Sequence, residues 1–263
     1  MTDTSETCWV TEVGSQMWGM GDLSSDHDLV YVYRFPTTLI LDGHRVPTSL
    51  PSKVYTDARG REMDCSFLEI GHLVNLLMKG NVNAIWAMMS PILVEDRTND
   101  SVPDNQRFYG GGWYRQLRDI TARNLSKISY HSIKGVAESH YKDVKKRADQ
   151  REPRKSLLTA IRTLRFGTNL MTNGILTEQV RVPCGKGGYY MTGLRYHLNF
   201  DVMSDAIKEN RDVDQLEKQY ETELALFERA YLQSALPVKV NPNPFRAFLR
   251  GFRLYDLKRS ETP

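Results

Sequence analysis

The sequence predicts an α+β fold, with strands and helices mixed over the first hundred residues and a mainly helical remainder. Three observations carry this reading. The run LVYVY at Leu29–Tyr33 is continuous, β-branched and aromatic, the pattern of a strand covered on both faces. The stretch FLEIGHLVNLLMKGN repeats Ile70, Leu73, Val74 and Leu77 at helical spacing. Beyond the turn-rich DRTNDSVPDNQRFYGGG (96–112), a plausible domain boundary, helical periodicity fills roughly 113–147, 153–172 and 212–236.

The elements follow in order. Cys8–Val13 reads as a short strand running into a tight Gly14-Ser15 turn, and the Gly-, Ser- and Asp-rich connection after it accommodates one short helix. Residues 36–61, broken by proline and glycine, read as a loop with at most one weak strand. Met63–Phe67 is a third short strand, and the helix after it ends on Lys79 and Gly80, a cation in the last turn and then a glycine cap. In the second half LTEQVRVP alternates like a strand, and CGKGGYYM is a glycine-rich turn without the phosphate-loop spacing. VDQLEKQYETELALFERAYL is strongly amphipathic. Asn243-Pro244 then opens a final helix, with asparagine as cap and proline in the first turn.

The 263 residues are 40% hydrophobic and 25% charged, ordinary for a globular protein with its own core. A net charge of +3 is too mild to indicate nucleic-acid binding by itself. Three well-separated cysteines, Cys8, Cys65 and Cys184, make neither a disulfide framework nor a zinc motif and suit a reducing compartment. The polar start MTDTSETCWV lacks the order of a signal peptide, and no apolar run is long enough to span a bilayer. A cytoplasmic protein with no membrane partner is therefore expected.

The chemistry concentrates in GSQMWGMGDLSSDHDLVYVY (14–33). Residues two apart on a strand share a face, so Asp26 and Asp28 project together beside Gly14-Ser15. Two such carboxylates repel unless a cation sits between them, and carboxylate pairs commonly anchor magnesium carrying a substrate phosphate. A glycine lets the backbone approach a phosphate, and a serine donates to it. A bare D-x-D is more often a polar turn; the upstream G-S and the downstream apolar strand favour the metal reading. His27, between the two aspartates, points to the opposite face and is structural.

G-S-x-x-x-G followed by S-D-x-D on a strand resembles the signature of the DNA polymerase β-type nucleotidyltransferase superfamily, matched here by Gly14, Ser15, Gly19, Ser25, Asp26 and Asp28. In that superfamily a later strand supplies a third carboxylate, for which Asp64 in R-E-M-D-C-S-F is the best candidate; Glu62 and Glu69 are alternatives, the latter within a helix and suited to a salt bridge. FLEIGHLVNLLMKGNVNAIWAMMSP further resembles the helix and K-x-N-P-N segment of the nucleotidyltransferases linked with predicted RNA repair pathways. Lys155 and Arg162 in KSLLTAIR, and Ser234, Leu236 and Pro237 in S-A-L-P, are similar to that subgroup's helical half. Val82, Trp86 and Thr159 depart from it, standing where proline, an acid and histidine are usual, and the part before Gly14 is short for the superfamily's leading helix.

The resemblance implies a small mixed-sheet, polymerase-β-like catalytic domain over residues 1–100 and a mainly helical domain over 101–263 that completes the cleft. It implies transfer of a nucleoside monophosphate from a nucleoside triphosphate, ATP among the candidates, to a hydroxyl, with release of pyrophosphate. Asp26, Asp28 and Asp64 would hold two magnesium ions, with manganese as an alternative. Gly14, Ser15, Ser25, Lys155 and Arg162 would bind the nucleotide. Seven positions apart, Lys155 and Arg162 share a helix face, pointing either at phosphates or at solvent. The basic stretch HYKDVKKRADQREPRKSLLTAIRTLR favours RNA, or another nucleic acid, as acceptor, although a solvated helix face is the commoner reason for such charge. A non-catalytic nucleotide- or RNA-binding module and a protein-nucleotidylating toxin or antitoxin component are the alternatives. None of the six histidines follows an arginine at the R-x(4–6)-H spacing of HEPN ribonucleases. The helix FRAFLRGFRLYDLKR stripes Phe245, Phe248, Leu249 and Phe252 along one side, the mark of a docked helix with a basic outer face.

Overall fold

The structure, a computed structural model, describes residues 6–18, 25–57, 60–97, 112–146, 153–174, 182–183, 190–191 and 212–260. Strand β1 (Glu6–Val13) leads through a single helical turn, α1 (Gly14–Met17), towards β2 (His27–Arg34). Then come α2 (Thr37–Leu41), β3 (Ser49–Thr56), β4 (Glu62–Glu69), α3 (Ile70–Met78), α4 (Val82–Met89) and β5 (Ile92–Asp96). The second half contributes α5 (Gly112–Arg123), α6 (Ser129–Lys146), α7 (Pro153–Asn173), two short strands, β6 (Val182–Pro183) and β7 (Tyr190–Met191), and the helices α8 (Val213–Gln233) and α9 (Pro242–Ser260).

The strands form one mixed sheet in the order β3-β4-β2-β1-β5-β7-β6. β2 and β4 run parallel and the other neighbours are antiparallel. Alternation along β2 splits its side chains between two apolar clusters: Val30 and Val32 join the large core against the helices, while Leu29 meets Val10 and Cys65 on the other face, flanked by Tyr31 and Phe67. This two-sided cover explains the unbroken LVYVY run. The large core is continuous from Trp9 through Leu73 and Met88 to Leu164, Phe227 and Phe252, so it spans both halves of the chain.

Helix α3 is fixed at both ends. The Glu69 carboxylate accepts from the backbone N–H groups of Gly71 (2.6 Å) and His72 (3.2 Å), and Lys79 caps the other end ahead of Gly80 at φ +66°. Glu69 is thus the cap of α3 rather than a residue inside it, and it also makes the expected salt bridge, with Arg253. Asn81 caps α4 through the N–H of Ala84.

Several expectations are corrected. Residues 36–61 hold a helix and a full-length strand, because β3 is an edge whose side chains are almost all exposed and so carries no apolar signal. The single helical pattern over 113–147 is two helices, separated at residues 124–128. The last helix begins two residues earlier than Asn243-Pro244: Asn241 accepts from the N–H of Asn243 and Pro242 takes the first position. Its apolar stripe is docked as expected, with Phe245, Phe248 and Phe252 at most 2% exposed. Most of the turn-rich boundary segment, Cys184, and most of LTEQVRVP and CGKGGYYM lie outside the described residues. Cys8 and Cys65 are buried and are not disulfide-bonded. Among the described residues no helix is long and apolar enough to cross a membrane.

Candidate active site

The parallel register of β2 and β4 builds the site. It runs from His27 opposite Met63 to Tyr33 opposite Glu69, and so sets Asp28 directly beside Asp64 at one end of the sheet. Register partners present their side chains to the same face, here the face that carries the helices. Both aspartates line a cleft of about 370 Å³ whose other walls include Gly14, Trp18, Ser52, Ser66, Asn83, Trp86 and Arg162.

Gly14 closes the approach from β1. Val13 pairs with Asp28 across the antiparallel β1–β2 ladder, and the chain turns at Gly14 with φ +64°. A β-carbon there would lie 1.7 Å from Asp28 Oδ2, so the carboxylate occupies the space that any other residue would fill. Ser15 follows in α1, part-buried, and Ser25 stands part-buried just before β2.

Asp28 sits in a field of competing charges. Its pKa lies above the ordinary carboxylate value, first through burial and then through repulsion from Asp64 and Asp26; Lys155 and Arg162 oppose the rise. All four expected partners of Asp28 therefore act on it electrostatically. Arg162 reaches from α7 to within 4.9 Å of the centre of the Trp18 ring. Burial lowers its pKa to about 10, while attraction to Asp28 works the other way. Lys155, two turns earlier on α7, is exposed. Of this pair only Arg162 lines the cleft; Lys155 stands in solvent outside its lining.

Asp26 is placed differently from its neighbours. It is exposed, precedes the first residue of β2 and is not among the cleft-lining residues. Among the described residues no three carboxylate, histidine or cysteine side chains stand close enough to form a ready metal cluster. The donor set itself suits a hard divalent cation: two register-paired carboxylates with a third two residues upstream. On the opposite face His27 Nδ1 is bonded to Glu12, which is 4% exposed, consistent with a structural role. Glu62 is exposed at the start of β4, and Glu69 is committed to its cap and to Arg253.

Sequence reasoning did not place several residues in the cleft, although Trp86 stood out as a departure from the subgroup. Trp18 follows Gly14-Ser15 by one helical turn, and Asn83 and Trp86 are three apart on α4, so one side of that helix faces the cleft. The helical pattern of α4 was the usable signal for the latter two. Ser52 comes from the exposed edge strand and had none.

Comparison with known proteins identifies the family. No match is found among curated proteins. Among solved structures, a nucleotidyltransferase-like protein from Exiguobacterium sibiricum matches with 11% identity, over 98% of this chain and 76% of that one, at a TM-score of 0.29. The sequence profile of the RNA repair pathway DNA polymerase beta family (RlaP) matches residues 2–177, two thirds of the chain, including Gly14, Asp28, Asp64 and Arg162. The chain belongs to the RNA repair pathway DNA polymerase beta family.

Proposed function

We propose that this protein is a metal-dependent nucleotidyltransferase that moves a nucleoside monophosphate from a nucleoside triphosphate to a hydroxyl, with an RNA end as the favoured acceptor. The observation that carries the reading is the Asp28–Asp64 register pair, with Gly14 against it and Arg162 across the cleft. Asp26, Asp28 and Asp64 are the residues that would hold magnesium, or manganese in its place. When bound, the metal supplies charge neutralisation along the triphosphate and a lowered pKa for the attacking hydroxyl.

The chain's own groups do the rest. Gly14 leaves room for a phosphate to approach the backbone, and Ser15 and Ser25 offer hydroxyl donors beside it. Arg162 in the cleft and Lys155 outside it on the same helix supply positive charge that opposes the build-up of negative charge on the departing pyrophosphate. The acceptor oxygen bonds to the α-phosphorus as the bond to pyrophosphate breaks, and the hydroxyl proton leaves to solvent. Nothing covalent is required of the protein; it positions and stabilises charge.

The test is magnesium-dependent transfer from each α-labelled ribonucleoside triphosphate, with mixed RNA and whole-lysate protein as separate acceptors, beside Asp28→Ala and Asp64→Ala. Label entering RNA and lost in both variants is the expected result. Label entering protein instead identifies a protein-nucleotidylating enzyme. A second reading, a nucleotide-binding module without catalysis, is favoured by the exposed position of Asp26 outside the cleft. Triphosphate binding with no transfer to either pool would establish it.

A further inference from the structure

We infer that Trp18 is the positioning residue for Arg162: its ring seats the guanidinium beside Asp28, so that α7 delivers a fixed positive charge to the triphosphate end of the cleft. This rests on the nucleotide-binding reading above and adds to it a residue that the motif residues do not include.

The geometry is specific. Trp18 is 1% exposed and ends the helical turn that begins with Gly14-Ser15. Its ring is held on edge by two others, Trp86 (5.5 Å between centres, 89° between planes) and Phe166 (5.9 Å, 78°), and those two contact each other at 5.7 Å. Phe166 lies one turn after Arg162 on α7, so one tryptophan takes an aromatic edge contact and a cation contact from the same helix. Trp18 is thereby the piece of the turn beside Asp28 that touches the helix carrying the cation.

The consequence is orientation. An arginine side chain has several rotatable bonds, and ordering it at the moment of binding weakens binding. A ring face 4.9 Å away in a partly desolvated cleft holds the guanidinium electrostatically without using its N–H donors on the ring. Asp28 attracts the same group, so ring and carboxylate together bias the guanidinium towards the end of the cleft that Gly14 borders. A tryptophan that served only to fill the core would need the same shape but not the same electron density.

That difference defines the test. Tryptophan carrying one, two or three ring fluorines is introduced at position 18 alone, in the full chain. This keeps the shape while progressively weakening the cation contact. The probe is inorganic tripolyphosphate with magnesium, measured by calorimetry, so that neither base nor acceptor enters. The expected result is a stepwise rise in Kd, roughly fivefold across the series, with an unchanged melting temperature. The rise is expected to vanish when the series is repeated in Arg162→Gln. A flat series with Arg162 present, a rise that persists in Arg162→Gln, or tighter binding on fluorination would overturn the assignment. Failure of the unmodified protein to bind tripolyphosphate would instead remove the nucleotide-binding reading, and this inference with it.

Discussion

Gly14 and Asp28 occupy the same space: a β-carbon on the glycine would stand 1.7 Å from the aspartate's Oδ2. The glycine also holds φ +64°, which L side chains adopt with strain. Gly14→Ala is therefore expected to turn the Asp28 carboxylate out of the cleft. The fold should survive, because the displaced group is the end of a side chain, at a cost of about 1–3 kcal/mol. Transfer should fall far more steeply than stability, and thermal melts run beside the transfer assay separate the two. An alanine variant with near-normal transfer would mean that Asp28 does not work from this position.

Asp28 lies in the cleft at a cost to the metal-free protein. Burial, Asp64 and Asp26 all raise its pKa, so the folded state holds this proton more tightly than the unfolded chain does. The sign follows: Asp28 is a stability penalty at neutral pH, and the penalty is relieved as pH falls through its raised pKa. Asp28→Asn should then melt higher than the parent at pH 7–8 without metal, and the gain should fade on acidification. The same variant should be inactive. Equal melting temperatures at pH 7.5 would show that Arg162 and Lys155 already offset the penalty.

Gly14 and Asp28 were legible because they are local: G-S and D-x-D lie within fifteen residues and an apolar strand follows, although Asp26 of the same motif lies outside the cleft. Asp64 needed a long-range pairing; the family resemblance asks for a carboxylate on a later strand, and the short strand MDCSF supplied the candidate. The helices α3 and α9 announced themselves through a 3.6-residue apolar period and a cap, although the cap of α9 was read two residues late. What stayed hidden has a physical reason in each case. β3 is an exposed edge strand and carries polar side chains on both faces, which is also the pattern of a loop. The break between α5 and α6 involves no proline or glycine, only Asn124 and a pair of serines, Ser126 and Ser129, that bond locally. Trp18 carries no local signal and Trp86 showed only as a departure from the subgroup's acid; the tertiary packing gives both a cleft to line.

Asp256 ties the last helix to the sheet. It is 1% exposed and accepts from the Thr37 backbone N–H (2.8 Å), the Thr37 hydroxyl (2.6 Å) and the Arg34 guanidinium. Asp256→Ala removes a buried ion-pair partner of Arg34 and the acceptor of both Thr37 donors in a nearly dry site. Such a break costs about 3–5 kcal/mol, and the expected outcome is a lowered denaturant midpoint with an unchanged slope. A change within experimental error would mean that α9 is held by its phenylalanine stripe alone.

Gly167 marks where three helices meet. A β-carbon on it would approach Phe227 to 2.5 Å and Ile133 to 2.8 Å, from α8 and α6 respectively. Gly167→Ala removes a helix-weakening glycine and would gain about 1 kcal/mol on an open surface. Here overpacking of a tight crossing should reverse the sign and destabilise by about 1–3 kcal/mol. Gly135, also helical but with open space around it, is the control and should stabilise when changed to alanine. Stabilisation at both positions would show that the crossing has room to relax.

Lys155 and Arg162 share a helix face and a target but differ in their surroundings, and ionic strength should separate them. Lys155 is exposed, so its attraction for a phosphate acts through water and is screened within about 10 Å at 0.1 M salt. Arg162 is partly buried against Trp18, where added salt screens much less. Lys155→Ala should weaken magnesium–triphosphate binding at low salt, with the loss shrinking towards zero by about 0.5 M salt. Arg162→Gln should weaken it by an amount that persists at high salt, about tenfold for one charge-assisted contact. Titrations of each variant at two salt concentrations decide the matter. If both losses fade together, Arg162 meets the phosphate through solvent as Lys155 does; if both persist, Lys155 is drawn into the cleft when the nucleotide binds.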